Sequence, residues 1–144
     1  MNYQDRLKEC LERNKQAIFE LMKRFNIDQA TLEYCGFDSD GRVNRITYNS
    51  AKTMKVAKKV ITPYLCLEYR TKGLRKVDLK VVTRQFSLHS ALEHFALDLL
   101  ELEQPHWAAY AGSEGTLTLD RHQRKCLLNH TAYFTESLTR QASY

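Results

Sequence analysis

The strongest constraint on the fold of this chain is the recurrence of strand-like segments joined in pairs by short turns. The predicted pairs are residues 31–37 with 42–48, residues 60–70 with 74–84, and residues 116–119 with 125–134. Their turns are Asp38-Ser39-Asp40-Gly41, Thr71-Lys72-Gly73 and residues 120–124. The Asp-Gly pair of the first turn is a strong hairpin signal, and Gly73 in the second turn is available for the positive φ that a tight turn needs. Three hairpins in one chain predict an antiparallel sheet.

Two amphipathic helices accompany these hairpins. Apolar residues recur at intervals of three and four in residues 3–25 and again in residues 88–102, which is the spacing of a helix with one buried face. Ser87 precedes the second helix and is a preferred N-cap residue, and Pro105 is expected to end it. We therefore predict an α+β fold, a two-layer sandwich in which one antiparallel sheet of hairpins carries two amphipathic helices on one face.

The 144 residues are expected to form a single domain, because this length suffices for one core. Residues 49–59 show no clear period and are expected to be a connector. The last ten residues are expected to be loose.

The sequence predicts a cytoplasmic protein that has no membrane partner. Its first twenty residues are rich in charge and contain no apolar run of the length of a secretory signal. No segment approaches the ~18 apolar residues of a transmembrane helix. The four cysteines are too far apart for a CxxC pair, so we expect reduced thiols that pack as small apolar residues. They are Cys10, Cys35, Cys66 and Cys126.

Positive charge is concentrated in the middle of the chain. Residues 42–84 contain 12 basic side chains against only Glu68 and Asp78, whereas residues 85–104 contain four acidic side chains and no lysine or arginine. The basic residues are Arg42, Arg45, Lys52, Lys55, Lys58, Lys59, Arg70, Lys72, Arg75, Lys76, Lys80 and Arg84. We predict that they form a binding surface, together with Tyr64 and Tyr69.

This basic segment has three interpretations. As a docking surface for an acidic protein, it predicts a non-enzymatic binding or regulatory protein, such as an inhibitor or regulator from a bacterial mobile element. As a nucleic-acid module, it would use Tyr48, Tyr64 and Tyr69 to stack on single-stranded bases, although the chain has no helix-turn-helix, RNP, KH or zinc-finger signature. The third interpretation is a solvated sheet edge whose lysines prevent aggregation. The oligomeric state is left open.

No catalytic residue, metal site or cofactor is predicted. His89 and His94 are five residues apart, so on a helix their rings diverge by about 140° and do not reach one metal ion. Asp38 and Asp40 are not followed by the oxygen ligands of a calcium loop. An alternative remains, an enzyme with a pocket formed by Trp107, Glu114 and His130, which linear spacing does not reveal.

Two segments resemble a family of bacterial proteins of unknown function. They are ALEHFALDLLELEQPHW (residues 91–107) and SEGTLTLDRHQRKCLLNH (residues 113–130), which match a pattern of helix, tryptophan-containing loop, glycine and hairpin. Residues 32–46 are similar to an earlier acidic turn of that family, and the resemblance covers about half the chain. Residues 51–84 look like an extension of the family pattern. The resemblance implies the fold, and it provides no active site that can be carried over to this chain.

Overall fold

The structure, a computed structural model, describes residues 2–37, 40–104, 112–132 and 138–144. These residues form three helices and seven strands in antiparallel sheets, which confirms the α+β class. The helices are α1 (Tyr3–Arg24), α2 (Ala51–Lys59) and α3 (Leu88–Glu103). The strands are β1 (Gln29–Phe37), β2 (Asp40–Tyr48), β3 (Ile61–Lys72), β4 (Arg75–Ser87), β5 (Ser113–Asp120), β6 (Lys125–Ala132) and β7 (Leu138–Ser143).

The strands form two sheets instead of the single sheet that we predicted. One sheet has five strands in the order β2-β1-β5-β6-β7, and the other is the two-stranded β3–β4 ribbon. The side chain of Asn14 in α1 bonds to the free edge of β3 in this ribbon. Its Nδ2 donates to the Leu65 carbonyl at 3.0 Å, and the Leu65 N–H donates to its Oδ1 at 2.9 Å. A side-chain amide thus bonds to β3 where a further strand would pair.

The expected connector at residues 49–59 contains helix α2, so that prediction was wrong. Ser50 caps the helix in a capping box: its side chain accepts from the Thr53 N–H at 3.2 Å, and its own N–H donates to Thr53 Oγ1 at 3.1 Å. Thr53 and Ala57, one turn apart, are the buried residues of the helix. A nine-residue helix with two buried positions has too short a pattern for its period to be recognised.

The expectation of a loose C-terminus was wrong for strand β7. This strand pairs antiparallel with β6, from Leu138 opposite Ala132 to Ser143 opposite Leu127. Tyr144 continues the pairing through two backbone hydrogen bonds with Cys126, of 2.8 and 3.0 Å. The strand is held by these backbone hydrogen bonds, which its short and polar sequence does not reveal.

The turn of the ribbon differs from the predicted Thr71-Lys72-Gly73. Lys72 pairs with Arg75, so the turn consists of Gly73 and Leu74. Gly73 has φ +65°, as the first central residue of a type II′ turn requires. Leu74 was expected to begin a strand, but it lies in the turn. It is fully exposed, with a relative accessibility of 105%.

The other predicted boundaries are largely observed. The first and third hairpins are β1–β2 and β5–β6. Ser87 caps α3 by accepting from the Ser90 N–H at 3.1 Å. Pro105, Trp107 and Phe134, and the turn residues Asp38 and Ser39, lie outside the described residues.

A single core joins the helices to one face of the five-stranded sheet. It contains the apolar stripes of α1 and α3 and the inward side chains of the strands. Leu32 and Leu117, partners in β1 and β5, are both 0% exposed. Phe95 of α3 is 1% exposed. The predicted helix faces are therefore the buried ones.

All four cysteines are free thiols. Cys10 and Cys126 are buried in the expected apolar manner, and burial raises the pKa of Cys126 to about 12. Cys35 and Cys66 are only partly buried.

We predict that Phe95→Ala lowers the free energy of unfolding by about 3–5 kcal/mol, because a large buried side chain is replaced by a cavity. Urea denaturation measures the change. Leu127→Ala is the matched control, since Leu127 is 46% exposed and its truncation should change stability by less than ~1 kcal/mol. A loss below ~1 kcal/mol for Phe95→Ala would contradict the assigned core.

Candidate functional site

The structure distributes the predicted basic residues over three elements. Of these 12 residues, the 11 whose side chains the structure describes are all exposed. For Lys76 only the backbone is described, and it lies in β4 opposite Thr71. The members are Arg42 and Arg45 in β2; Lys52, Lys55, Lys58 and Lys59 in α2; and Arg70, Lys72, Arg75, Lys76, Lys80 and Arg84 in the ribbon. Arg42 and Arg45 thus belong to the five-stranded sheet and not to the ribbon.

Helix α2 and the ribbon form one continuous element, residues 51–87, which we call the basic arm. Only Val60 separates α2 from β3, so the lysines of α2 lie at the base of the ribbon. The turn at Gly73 and Leu74 lies at the other end. Because a strand rises about 3.3 Å per residue, the 12 residues of β3 extend about 36 Å. The basic side chains of the arm are therefore spread along its length.

Helices α1 and α3 anchor the arm near its base and along its middle. Besides the Asn14 bonds, Arg6 Nη1 donates to the Leu79 carbonyl at 2.6 Å. The ring of Tyr3 stacks on that of Tyr69, with centroids 6.1 Å apart. Beyond these contacts, every described side chain in residues 70–78 is exposed. We call residues 70–78 the tip of the arm.

The structure buries Tyr64 of the predicted binding surface and Tyr48, which the nucleic-acid interpretation also used for stacking. Tyr64 is 1% exposed, and its hydroxyl donates to Asp98 Oδ2 at 2.7 Å. Burial raises the pKa of Tyr64 far above its usual range. Tyr48 is also buried, with its hydroxyl 2.7 Å from His89 Nδ1. Tyr69 remains 46% exposed, although one side of its ring is covered by Tyr3.

Two of the basic side chains are neutralised by nearby carboxylates. Arg84 contacts Glu68 Oε1 through Nε at 2.9 Å and Nη2 at 2.5 Å, which raises the pKa of its guanidinium. Arg45 lies 3.8 Å from Glu33. Within the described ranges, no ion pair involves the other basic residues of the predicted surface.

His89 and His94 have different partners in the structure. His89 lies between Tyr48 and Glu93, with its Nε2 3.3 Å from Glu93 Oε1. Burial lowers its pKa. His94 stacks its ring on Phe86, with centroids 4.3 Å apart. In the part of the chain that the structure describes, no group of three or more His, Cys, Asp or Glu residues could hold a metal ion.

Glu114 and His130, grouped above with Trp107, differ in exposure, and Trp107 lies outside the described residues. Glu114 is exposed, whereas His130 is 3% exposed and its Nδ1 lies 2.6 Å from the hydroxyl of Tyr34. Gly115 lies between Tyr34 and His130 in register across the sheet. A Cβ on Gly115 would lie 2.5 Å from the Tyr34 hydroxyl and closer still to the Asn129 carbonyl. Glycine is therefore required for this close approach.

A cavity of about 600 Å³ lies over β1, β2, β5 and β6, and the sequence analysis did not anticipate it. Its lining carries acidic, basic, amide and hydroxyl groups, so it is mixed in charge, whereas the arm is predominantly positive. The lining residues are Glu33, Tyr34, Asn44, Arg45, Glu114, Gly115, Thr116, Asn129 and Thr131. Alternating polar residues in several predicted strands were the available signal, but their register was needed to align them.

The chain belongs to a family of unknown function, DUF6878, whose sequence profile matches residues 10–144. This agrees with the resemblance noted from the sequence and extends it over nearly the whole chain, including the basic segment. Searches of curated proteins and of solved structures found no significant match. Among the described residues, no helix has both the length and the apolar character needed to cross a membrane.

We predict that Asn14→Ala destabilises the protein by about 1–3 kcal/mol, because it leaves the buried N–H and carbonyl of Leu65 without partners. Hydrogen exchange of the Leu65 amide should accelerate by more than the global loss of stability explains. Gln16→Ala, an exposed change on the same helix, should have almost no effect. Unchanged exchange at Leu65 in Asn14→Ala would show that the amide does not anchor the ribbon.

We predict that Gly115→Ala costs at least about 1–3 kcal/mol, because the added methyl group overpacks the contact between Tyr34 and its neighbours. Thermal and urea unfolding measure the loss. Thr116→Ala, at the next position in the strand, is the control and should cost less than ~1 kcal/mol. Equal stability of Gly115→Ala and the wild type would contradict the close approach.

Proposed function

We propose that this protein is a non-enzymatic binding protein that docks an acidic macromolecule on its basic arm. The main observation in support is a series of lysines and arginines that extends from α2 to the tip. These side chains have no acidic partner in the described structure. The arm is bonded to α1 and α3, so its charges are presented on an ordered element. All four cysteines are free, which supports a reducing, cytoplasmic setting for this function.

Several weak contacts acting together give such an arm its affinity. An exposed ion pair contributes only about 0–1 kcal/mol, so a single lysine would not hold a partner. The arm has ten basic residues against two acidic ones, and one of those acids is engaged by Arg84. A field of one sign also accelerates the encounter with an oppositely charged partner.

Because the basic side chains of the arm are exposed, an effect of their mutation on binding can be distinguished from an effect on stability. Lys55, Lys58, Lys59, Lys72 and Arg75 are all exposed. No ion pair to them is found among the described residues. Reversing them to glutamate should therefore leave the fold intact and invert the charge of the arm.

We predict that this fivefold reversal abolishes binding and shifts the thermal midpoint by only a few degrees. Fluorescence anisotropy would measure binding to duplex DNA, to single-stranded DNA and to poly-L-glutamate. Measurements from about 50 to 200 mM salt would give the dependence on counterion release. At least one of the three probes should bind the wild type.

The matched control reverses five exposed basic residues outside the arm, which changes the net charge equally. They are Lys8, Arg13, Lys23, Arg24 and Lys125. This control should retain most of the binding if location matters more than net charge. The proposal fails if none of the probes binds the wild type at low salt, or if both variants lose binding equally.

A further inference from the structure

The tip of the arm carries an apolar side chain that the fold does not use. Leu74 has a relative accessibility of 105%, the highest among the exposed large apolar residues of the described chain. The turn itself needs Gly73, whose φ is +65°, but two-residue turns of this kind usually have a polar second residue such as Asn, Asp or Ser. Neither turn geometry nor packing accounts for a leucine at this position.

Cations flank this leucine on both strands of the ribbon. Lys72 and Arg75 are direct cross-strand partners on either side of the turn, and Arg70 lies two residues farther along β3. All three side chains are exposed. A ligand that receives Leu74 would thus meet positive charge on both sides of the apolar contact.

We propose that the basic arm binds double-stranded DNA and that Leu74 inserts between base pairs at the tip. This inference rests on the proposed function and names its partner. Proteins that kink DNA insert an apolar wedge, leucine among them, between base steps while cationic side chains hold the adjacent phosphates. The tip combines these two features.

The aromatic content of the arm favours a duplex over a single strand. Sequence-independent binding of single strands depends on exposed aromatic rings. Tyr64 of the arm is instead buried, and Tyr69 is already stacked on Tyr3.

The test uses the full chain and a duplex of about 24 base pairs, slightly more than two helical turns. One duplex carries 2-aminopurine, whose fluorescence rises on unstacking, and another carries a donor and an acceptor dye at its ends to report bending. Leu74→Ala is compared with Ile61→Ala, which truncates a 61% exposed apolar residue at the base of the same ribbon.

We predict that the wild type and Ile61→Ala bind the duplex with a steep salt dependence and raise the 2-aminopurine signal. Leu74→Ala should lose this rise and bind about tenfold more weakly, because a leucine side chain is no longer buried on binding. Its salt slope should stay the same, since no cation has been removed. The double variant Lys72→Ala/Arg75→Ala should instead make the salt dependence of binding shallower, by the amount expected for the loss of about two phosphate contacts.

The remaining outcomes separate this inference from the proposed function. Duplex binding without a 2-aminopurine rise, or a rise that persists in Leu74→Ala, would overturn insertion and leave charge-based docking intact. Stronger binding to the single strand, to poly-L-glutamate or to phosphatidylserine vesicles than to the duplex would overturn the assignment of double-stranded DNA. Absence of binding to every probe would overturn both proposals.

Discussion

The two hydrogen bonds between Asn14 and the backbone of Leu65 determine how the rest of the arm is presented. A strand edge presents unpaired N–H and carbonyl groups that must find partners. Here the partner is a side-chain amide on a helix, 3% exposed and bonded through both of its functional atoms. The ribbon is thereby joined to the helical layer. Its turn end is left without a covering element among the described residues.

In its anchored part the ribbon pairs one arginine with a carboxylate, and at the tip Arg70 lies opposite Asp78. Arg84, opposite Tyr64 in the ribbon, is paired with Glu68, whereas Arg70, Lys72 and Arg75 lie beyond the anchoring contacts. The hydroxyl of Tyr64 is bonded to Asp98, a carboxylate whose pKa is raised chiefly by burial. Polar groups near the core thus satisfy one another.

Local signals predicted the elements, and long-range contacts decided their arrangement. The hairpins and the cap at Ser87 follow from a few adjacent residues, so the sequence was sufficient for them. Strand β7 and the separation of the two sheets depend on partners far away in the chain. The basic set was visible from composition, but the burial of Tyr64 was not, because either face of a predicted ribbon can be the inner one. Leu74 was misplaced because the register of the turn differed from the predicted one by a single residue.

The matched family range includes both Asn14 and the whole basic arm, so the anchor and the element that it holds belong to the same family domain. The arm differs in charge from α3, which has four acidic residues and no lysine or arginine. In the proposed docking, α3 would repel an acidic macromolecule and the arm would attract it, so both effects would favour contact at the arm.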